Sequence, residues 1–463
     1  MEKVFVFGID GATPELIFDK WIDELPTIRQ LMQSGSYGTL SSSIPPMTII
    51  AWNSMFSGKD ASELGFFSYS YQDKQGKTKL VSSKNVAVKR IWDILSSHGK
   101  KTISLFVPLT YPVTEINGTM VSCFLTPELN DKSCYPKKMT LKIRKLGDTE
   151  FFFDVGLSEG AYKSLEIDEI LKRTYRMTEM QLDLLEDLMS REKWDFFCSV
   201  MIGTDRLQHM LWRHFDSNHR RYIKDSPYKN ALLEYYKYLD GRLAKILKHI
   251  NMEETTVLVV SDHGMIRQQG KININNWLME EGYLVLKAEY KNRIKNEKVR
   301  FRFEAVDMQK TICYASGAYH ARIFINKNKV GKDYVRIRED LINKLKKIPD
   351  DKGNQINTLV YKKEDIYKKP SHPDCPDLTV YFDNLSWASN PDLGFSGLYS
   401  WETVVGADNA GHSMQGCFII SGNKIKNRGK IGEIDIKQVF PTLCKLLHLN
   451  IPKDKANQPI EVF

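Results

Sequence analysis

The chain has 463 residues, 42% hydrophobic and 27% charged, with a net charge of +9. These are the proportions of a globular protein, and no apolar run approaches the roughly 18 residues that a membrane-spanning helix needs. The positive excess is modest and no nucleic-acid-binding motif is present, so a nucleic-acid partner is not expected.

The elements alternate in the manner of an α/β protein with a largely parallel sheet flanked by helices. Residues 4–9 read as a strand that turns at Gly11 into a helix beginning near Thr13-Pro14-Glu15. Short helices are predicted over 27–32, stopped at Gly35, and over 49–56, stopped at Gly58. A helix over 86–97 leads through Gly99 to a strand at 102–107. Residues 165–190 carry Ile170, Leu171, Leu182, Leu185 and Leu188 on one stripe, the pattern of a long amphipathic helix. A strand at 196–201, helices from 205–214 and over 230–250, and a strand at 256–260 follow. From 264 to 409 the pattern loosens, with one helix near 335–346, and reads as an insertion covering the site. A strand at 416–421 and a helix at 435–447 close the chain. The domain expectation is a core of residues 1–265 and 410–463 with an inserted cap, 266–409, that sets substrate specificity.

Seven cysteines without paired metal-type spacing predict a reducing environment. The first residues run from Met1 almost directly into a strand and have no signal-type pattern, so the expected location is cytoplasmic. The densest basic stretch, 287–302, has seven Lys or Arg and two Glu. It is either a solvated surface or a rim attracting a phosphorylated substrate.

Chemistry-bearing residues fall where strands end. Asp10 closes the first strand, and Asp262-His263 close the apolar run Val257-Leu258-Val259-Val260. A charge and an imidazole at the end of a buried strand are costly without a partner. Asp205 and His209, four apart on a helix, share one face and can reach one ion. His412 lies in a glycine-flanked loop sequence. Thr48 follows Pro45-Pro46-Met47 at a predicted helix start, where it is either an ordinary N-cap or a hydroxyl at an anion-attracting helix terminus. Individually each of these is a weak sign; their order along the chain is not.

That order resembles the alkaline phosphatase superfamily, in its type I phosphodiesterase/nucleotide pyrophosphatase branch, and most of all that branch's group of predicted cytosolic phosphohydrolases. The resembling segments are Gly8-Ile9-Asp10-Gly11-Ala12, Pro45-Pro46-Met47-Thr48 with Ala51-Trp52, Ile91-Trp92-Asp93-Ile94-Leu95, Pro108-Leu109-Thr110-Tyr111-Pro112, Asp205 with Gln208-His209, Ser261-Asp262-His263-Gly264-Met265, Asn276-Trp277-Leu278, Gly411-His412 and Pro441-Thr442-Leu443. The resemblance implies an alkaline-phosphatase-like α/β fold and two divalent ions. One is expected on Asp10, Asp262, His263 and Thr48, the other on Asp205, His209 and His412. Mixed nitrogen and oxygen ligands suit Zn²⁺ first and Mn²⁺ next.

The implied reaction is cleavage of phosphodiester or pyrophosphate bonds through a phospho-threonine at Thr48, in a phosphorylated small-molecule or carrier-linked substrate. Related outcomes of the same chemistry are a phosphomonoesterase, a phosphomutase or a phosphotransferase. A non-catalytic binding protein on this fold is the reading of a different class. One departure bears on substrate: relatives of the nucleotide pyrophosphatase type carry an Asn in a His-Gly-Ile setting after the nucleophile helix. The corresponding stretch here is Leu64-Gly65-Phe66-Phe67-Ser68, without that Asn or His. Asn53, five residues beyond Thr48, is expected to point elsewhere. Tyr283, Tyr290, Tyr314, Tyr319, Trp387 and Trp401 are candidates to face a ligand or to pack within the cap.

Overall fold

A computed structural model describes residues 2–73, 77–145, 151–156, 165–404, 406–450 and 458–463. Its central sheet has ten strands. Lys3–Ile9 lies in the middle, parallel to Phe196–Met201 on one side and to Thr255–Val260 on the other. Thr102–Leu105 and Gly118–Val121 extend the parallel half. Beyond Thr255–Val260 the sheet turns antiparallel through Gln415–Ser421 and then Ser36–Ser41.

The three central strands are apolar without alternation because helices cover both faces. Phe5, Phe7, Phe197, Met201, Val257 and Val259 point into one core, shared with the helices Pro26–Ser34, Ile167–Arg191, Gly203–Phe215 and Ala231–Leu247. Val4, Val6, Phe196, Val200, Leu258 and Val260 point the other way, against Thr48–Met55, Ile91–Ser97 and Val439–Leu446. Gly8 shows how closely this second layer approaches. A Cβ there would meet the Trp52 ring at 2.5 Å.

Residues 272–393 supply a separate hydrophobic cluster. It is built on a three-stranded sheet and a four-stranded antiparallel one, Cys313–Ser316, Ala321–Ile325, Leu378–Tyr381 and Leu359–Lys362, backed by Tyr334–Leu345. The loosened sequence pattern concealed this order because these strands are only four or five residues long. The predicted helix over 86–97 begins only at Ile91, where Asp93 accepts from the Arg90 N–H. The first predicted helix is a wide π-type turn, Glu15–Lys20. Strand Ser36–Ser41 was not anticipated; its sequence Ser-Tyr-Gly-Thr-Leu-Ser has a single aliphatic residue, Leu40, and puts Ser36 and Gly38 on the buried face, so it lacks the apolar alternation that marks a strand. Among the described residues no helix is long and apolar enough to cross a membrane.

Candidate active site

The carboxyl ends of the three central strands converge, which is where ligands collect in open α/β sheets. Asp10 follows Lys3–Ile9 directly, Asp262 and His263 follow Thr255–Val260, and the helix after Phe196–Met201 carries Asp205 and His209. Gly11, in the left-handed region at φ +70°, lets the chain turn so that its N–H donates to Asp262 Oδ1 at 3.2 Å. A Cβ there would come within 3.3 Å of Asp205. His412 arrives from far along the chain on Ala410–Ser413, paired antiparallel with Gly264–Arg267 so that His412 lies opposite Met265.

Thr48 is the first residue of its helix, but the N-cap is Met47 and no side chain caps that end. The ordinary N-cap reading of Thr48 therefore fails. Its hydroxyl instead lies 3.4 Å from His263 Nε2, with the residue buried. All seven candidate residues are buried, and they form one cluster.

The three imidazoles are oriented alike. His209 Nδ1 is 2.8 Å from the Ala410 carbonyl, His412 Nδ1 is 2.8 Å from the Pro46 carbonyl, and His263 Nδ1 is 3.1 Å from that of Gly264. A carbonyl can only accept, so each Nδ1 carries a proton and each Nε2 is the nitrogen turned toward the pocket. Those Nε2 atoms face carboxylate oxygens. Asp205 Oδ1 is 3.4 Å from both His209 Nε2 and His412 Nε2, and Asp262 Oδ2 is 3.2 Å from His263 Nε2. Asp10 Oδ1, Asp205 Oδ1 and Asp262 Oδ2 are buried without a hydrogen-bond donor.

A ring nitrogen facing a buried carboxylate oxygen requires a positive centre between them, either a proton or a metal ion. Tetrahedral Zn²⁺ with bonds of about 2.0 Å would set its ligands roughly 3.3 Å apart, which matches these separations. Two compact sets of ligand atoms result, Asp10–Asp262–His263 and Asp205–His263–His412. The second set includes His263 where the sequence expectation had His209. His209 holds the same 3.4 Å relation to Asp205 as His412 does.

The charges are unevenly distributed. Burial and repulsion from Asp262 and Asp205 push the Asp10 carboxyl well above its ordinary value, and burial does the same to Asp262. Asp205 is also buried, but His209, His412 and Arg206 hold its carboxyl well below the usual range. Burial and the neighbouring His412 keep His263 neutral. Arg206 donates to Asp205 Oδ2 at 2.8 Å and grips Asp154 through two 3.0 Å bonds. Trp52, one turn beyond Thr48, donates to Asp10 Oδ2 at 2.8 Å.

Two further residues border the pocket. Tyr69, whose ring packs against Phe124, brings its hydroxyl to that of Thr48, and burial pushes its pKa up, so it remains a donor. Tyr319 stacks on His412 with ring centres 4.5 Å apart, and its hydroxyl is 3.4 Å from His209 Nε2. Of the aromatic residues considered for the cap, Tyr319 is the one in contact with the centre. Tyr283 hydrogen-bonds Asp340, Tyr314 stacks on Phe324, Trp387 packs on Tyr399 and Trp401 lies near His219. Asn53 is turned away, donating to the Ile49 and Pro108 carbonyls. Arg206 and Tyr69 were not anticipated. Arg206 had a signal in its adjacency to Asp205; Tyr69 lies one residue beyond the stretch considered and had none.

The family model described as type I phosphodiesterase / nucleotide pyrophosphatase matches residues 4–394. A comparison with curated proteins finds no match. Among solved structures, human ectonucleotide pyrophosphatase/phosphodiesterase 5 aligns with TM-score 0.57 at 13% identity, over 99% of this chain and 97% of that one. The murine protein, inactivated and in complex with AMP, aligns with TM-score 0.57 at 14% identity, over 98% and 96%. At such identities the likeness establishes the fold alone, which is alkaline-phosphatase-like.

Proposed function

Because the chain belongs to the type I phosphodiesterase/nucleotide pyrophosphatase family, and is therefore a hydrolase of phosphoric ester bonds, we propose that it cleaves phosphodiesters or pyrophosphates with Thr48 as nucleophile. The reading as a non-catalytic binding protein gives way to this one. The observation that carries the proposal is the buried set of donor-free carboxylate oxygens facing three imidazole Nε2 atoms, with the Thr48 hydroxyl on its border.

We assign Asp10, Asp262 and His263, with Thr48, to one divalent ion, and Asp205, His209 and His412 to the other. The donor set favours Zn²⁺, then Mn²⁺. When bound, such ions supply positive charge that lowers the hydroxyl pKa and stabilises the entering and leaving oxygens. The chain's own residues do the rest. The carbonyls of Ala410, Pro46 and Gly264 fix the imidazole rings, and Trp52 and Arg206 orient the two outer carboxylates. Thr48 Oγ1 forms the bond to phosphorus as the bond to the leaving alcohol or phosphate breaks; water then releases the phosphoryl group. Tyr69 is placed to donate to a non-bridging oxygen of that group.

Residues 266–409 are assigned as the cap that lines the substrate side, a reading supported by their own core and by Tyr319 overhanging the centre. Seven free, buried thiols support a cytoplasmic location. The neighbour that holds AMP makes nucleotide-like diesters the first substrates to try. The test is a panel of diester, diphosphate and monoester substrates with Zn²⁺ or Mn²⁺, run beside Thr48→Ala. Diester or diphosphate turnover that disappears in the variant while both ions are retained is expected. Faster monoester than diester hydrolysis would reassign the reaction, and turnover surviving in Thr48→Ala would reject the nucleophile.

A further inference from the structure

A cation without a counter-ion is buried where the cap meets the core. Arg322, on the strand Ala321–Ile325, is 9% exposed. Its Nη1 donates to the Phe67 carbonyl at 3.2 Å, its Nε has no acceptor, and it pairs with no carboxylate among the described residues. The other well-buried guanidinium groups each reach a carboxylate: Arg206 reaches Asp154 and Asp205, Arg242 reaches Asp183 and Glu186, and Arg90 lies 3.9 Å from Asp93. Asp374 is near enough to feel Arg322, but burial pushes its carboxyl up. His320, in the bend just before that strand and near enough to feel Arg322, is buried with Nε2 unpartnered. Burial lowers Arg322 to about 10 and His320 to about 3, so near neutral pH the first is charged and the second is not.

Both ends of this feature touch the catalytic pocket. The turn that carries Tyr319 over His412 immediately precedes His320. Phe67, which anchors Arg322, is two residues from Tyr69, whose hydroxyl meets Thr48. His320 lies close enough to both Arg322 and His412 to feel their charges, so it bridges the guanidinium and the catalytic cluster.

We propose that Arg322, with His320 beside it, binds a second oxyanion of the substrate, a phosphoryl or carboxylate group carried beyond the phosphorus that Thr48 attacks. A buried charge is expensive unless it is paired, and a guanidinium fork matches both oxyanions with two parallel hydrogen bonds. This deepens the reading of Thr48 as nucleophile, and rests on it, by naming the substrate class: diesters or diphosphates bearing at least two anionic groups.

The test compares wild type, Arg322→Gln and Arg322→Lys on three substrates: an aryl phosphodiester with one charge, a diphosphate diester, and a phosphodiester with a pendant carboxylate. The ratio of kcat/KM for a two-anion substrate over the one-anion substrate is expected to fall about tenfold to a hundredfold in Arg322→Gln. Arg322→Lys, which keeps the charge and loses the fork, should lie between. The two-anion substrate that suffers identifies the oxyanion. A ratio that stays constant, whether all activities drop together or none does, overturns the proposal and leaves Arg322 as a staple between cap and loop. If wild type cleaves none of the three, that failure belongs to the catalytic reading. The subsite is then judged by calorimetric titration of inorganic phosphate into metal-stripped protein. Binding weakened at least tenfold in Arg322→Gln supports it; equal or absent binding in wild type and variant overturns it.

Discussion

Three carboxylates within one pocket behave in two opposite ways, and the difference is measurable once metal is stripped. Asp10 and Asp262 are raised by burial, so the folded state binds their protons more tightly than the unfolded chain does. Their contribution to stability is complete below the ordinary carboxyl value of about 4 and is lost as pH rises through the raised values. Asp205 is lowered by its histidine and arginine neighbours against the effect of burial. Its contribution is present above the ordinary value and disappears as pH falls through the lowered one. At pH 7, metal-stripped Asp10→Asn should therefore melt above metal-stripped wild type, and Asp205→Asn below it. Calorimetry giving shifts of the same sign for both would contradict this charge assignment. The Tyr69 hydroxyl yields a second prediction at this scale. Tyr69→Phe removes one donor beside Thr48 while its ring can still pack on Phe124. Loss of a preorganised donor of this kind costs about 10² to 10³ in kcat. Unchanged KM and melting temperature beside that loss would separate this role from a structural one.

At the scale of elements, the site depends on the Thr48 helix lying flat against the first strand. Gly8 permits this contact, with Trp52 filling the space above it and reaching Asp10. Gly8→Ala should destabilise the protein by about 1–3 kcal/mol, as overpacking usually does, and should lower metal content because the displaced Trp52 no longer holds Asp10. Adding Trp52→Phe should relieve part of the strain, so the double variant should lose less stability than the two single losses together. Strict additivity in urea unfolding would rule out the contact as the cause. The same elements show what the sequence made legible. The central strands announced themselves because runs such as Val257-Leu258-Val259-Val260 are apolar on both faces, and Asp10 and Asp262-His263 were conspicuous as charges ending such runs. Ser36–Ser41 was hidden, since its buried face is Ser36, Gly38 and Leu40, and one leucine between two small residues gives no apolar alternation to read. Tyr69 and Arg322 were hidden for another reason: each acts across a contact, with Thr48 or Phe67, that local pattern does not encode.

Across the whole molecule, the pocket joins segments that the chain keeps far apart, from Asp10 to His412, and the antiparallel pairing of Ala410–Ser413 on Gly264–Arg267 closes it. An ion bound at such a junction stabilises the entire fold by mass action, about 2.7 kcal/mol when its free concentration is a hundred times its dissociation constant. Chelation should accordingly lower the melting temperature of wild type, and added Zn²⁺ or Mn²⁺ should restore it. His412→Ala divides this effect between the two proposed sites. Asp10, Asp262 and His263 remain a compact set of ligands in that variant, whereas the set containing Asp205 loses a member. Mass spectrometry of dialysed protein should find two ions per chain in wild type and one in His412→Ala, with turnover lost and about half of the chelation-sensitive stability retained. Two ions in the variant would remove His412 from the ligand set. None would mean that the sites fill together, with His263, which lies within reach of both sets, coupling one ion to the other.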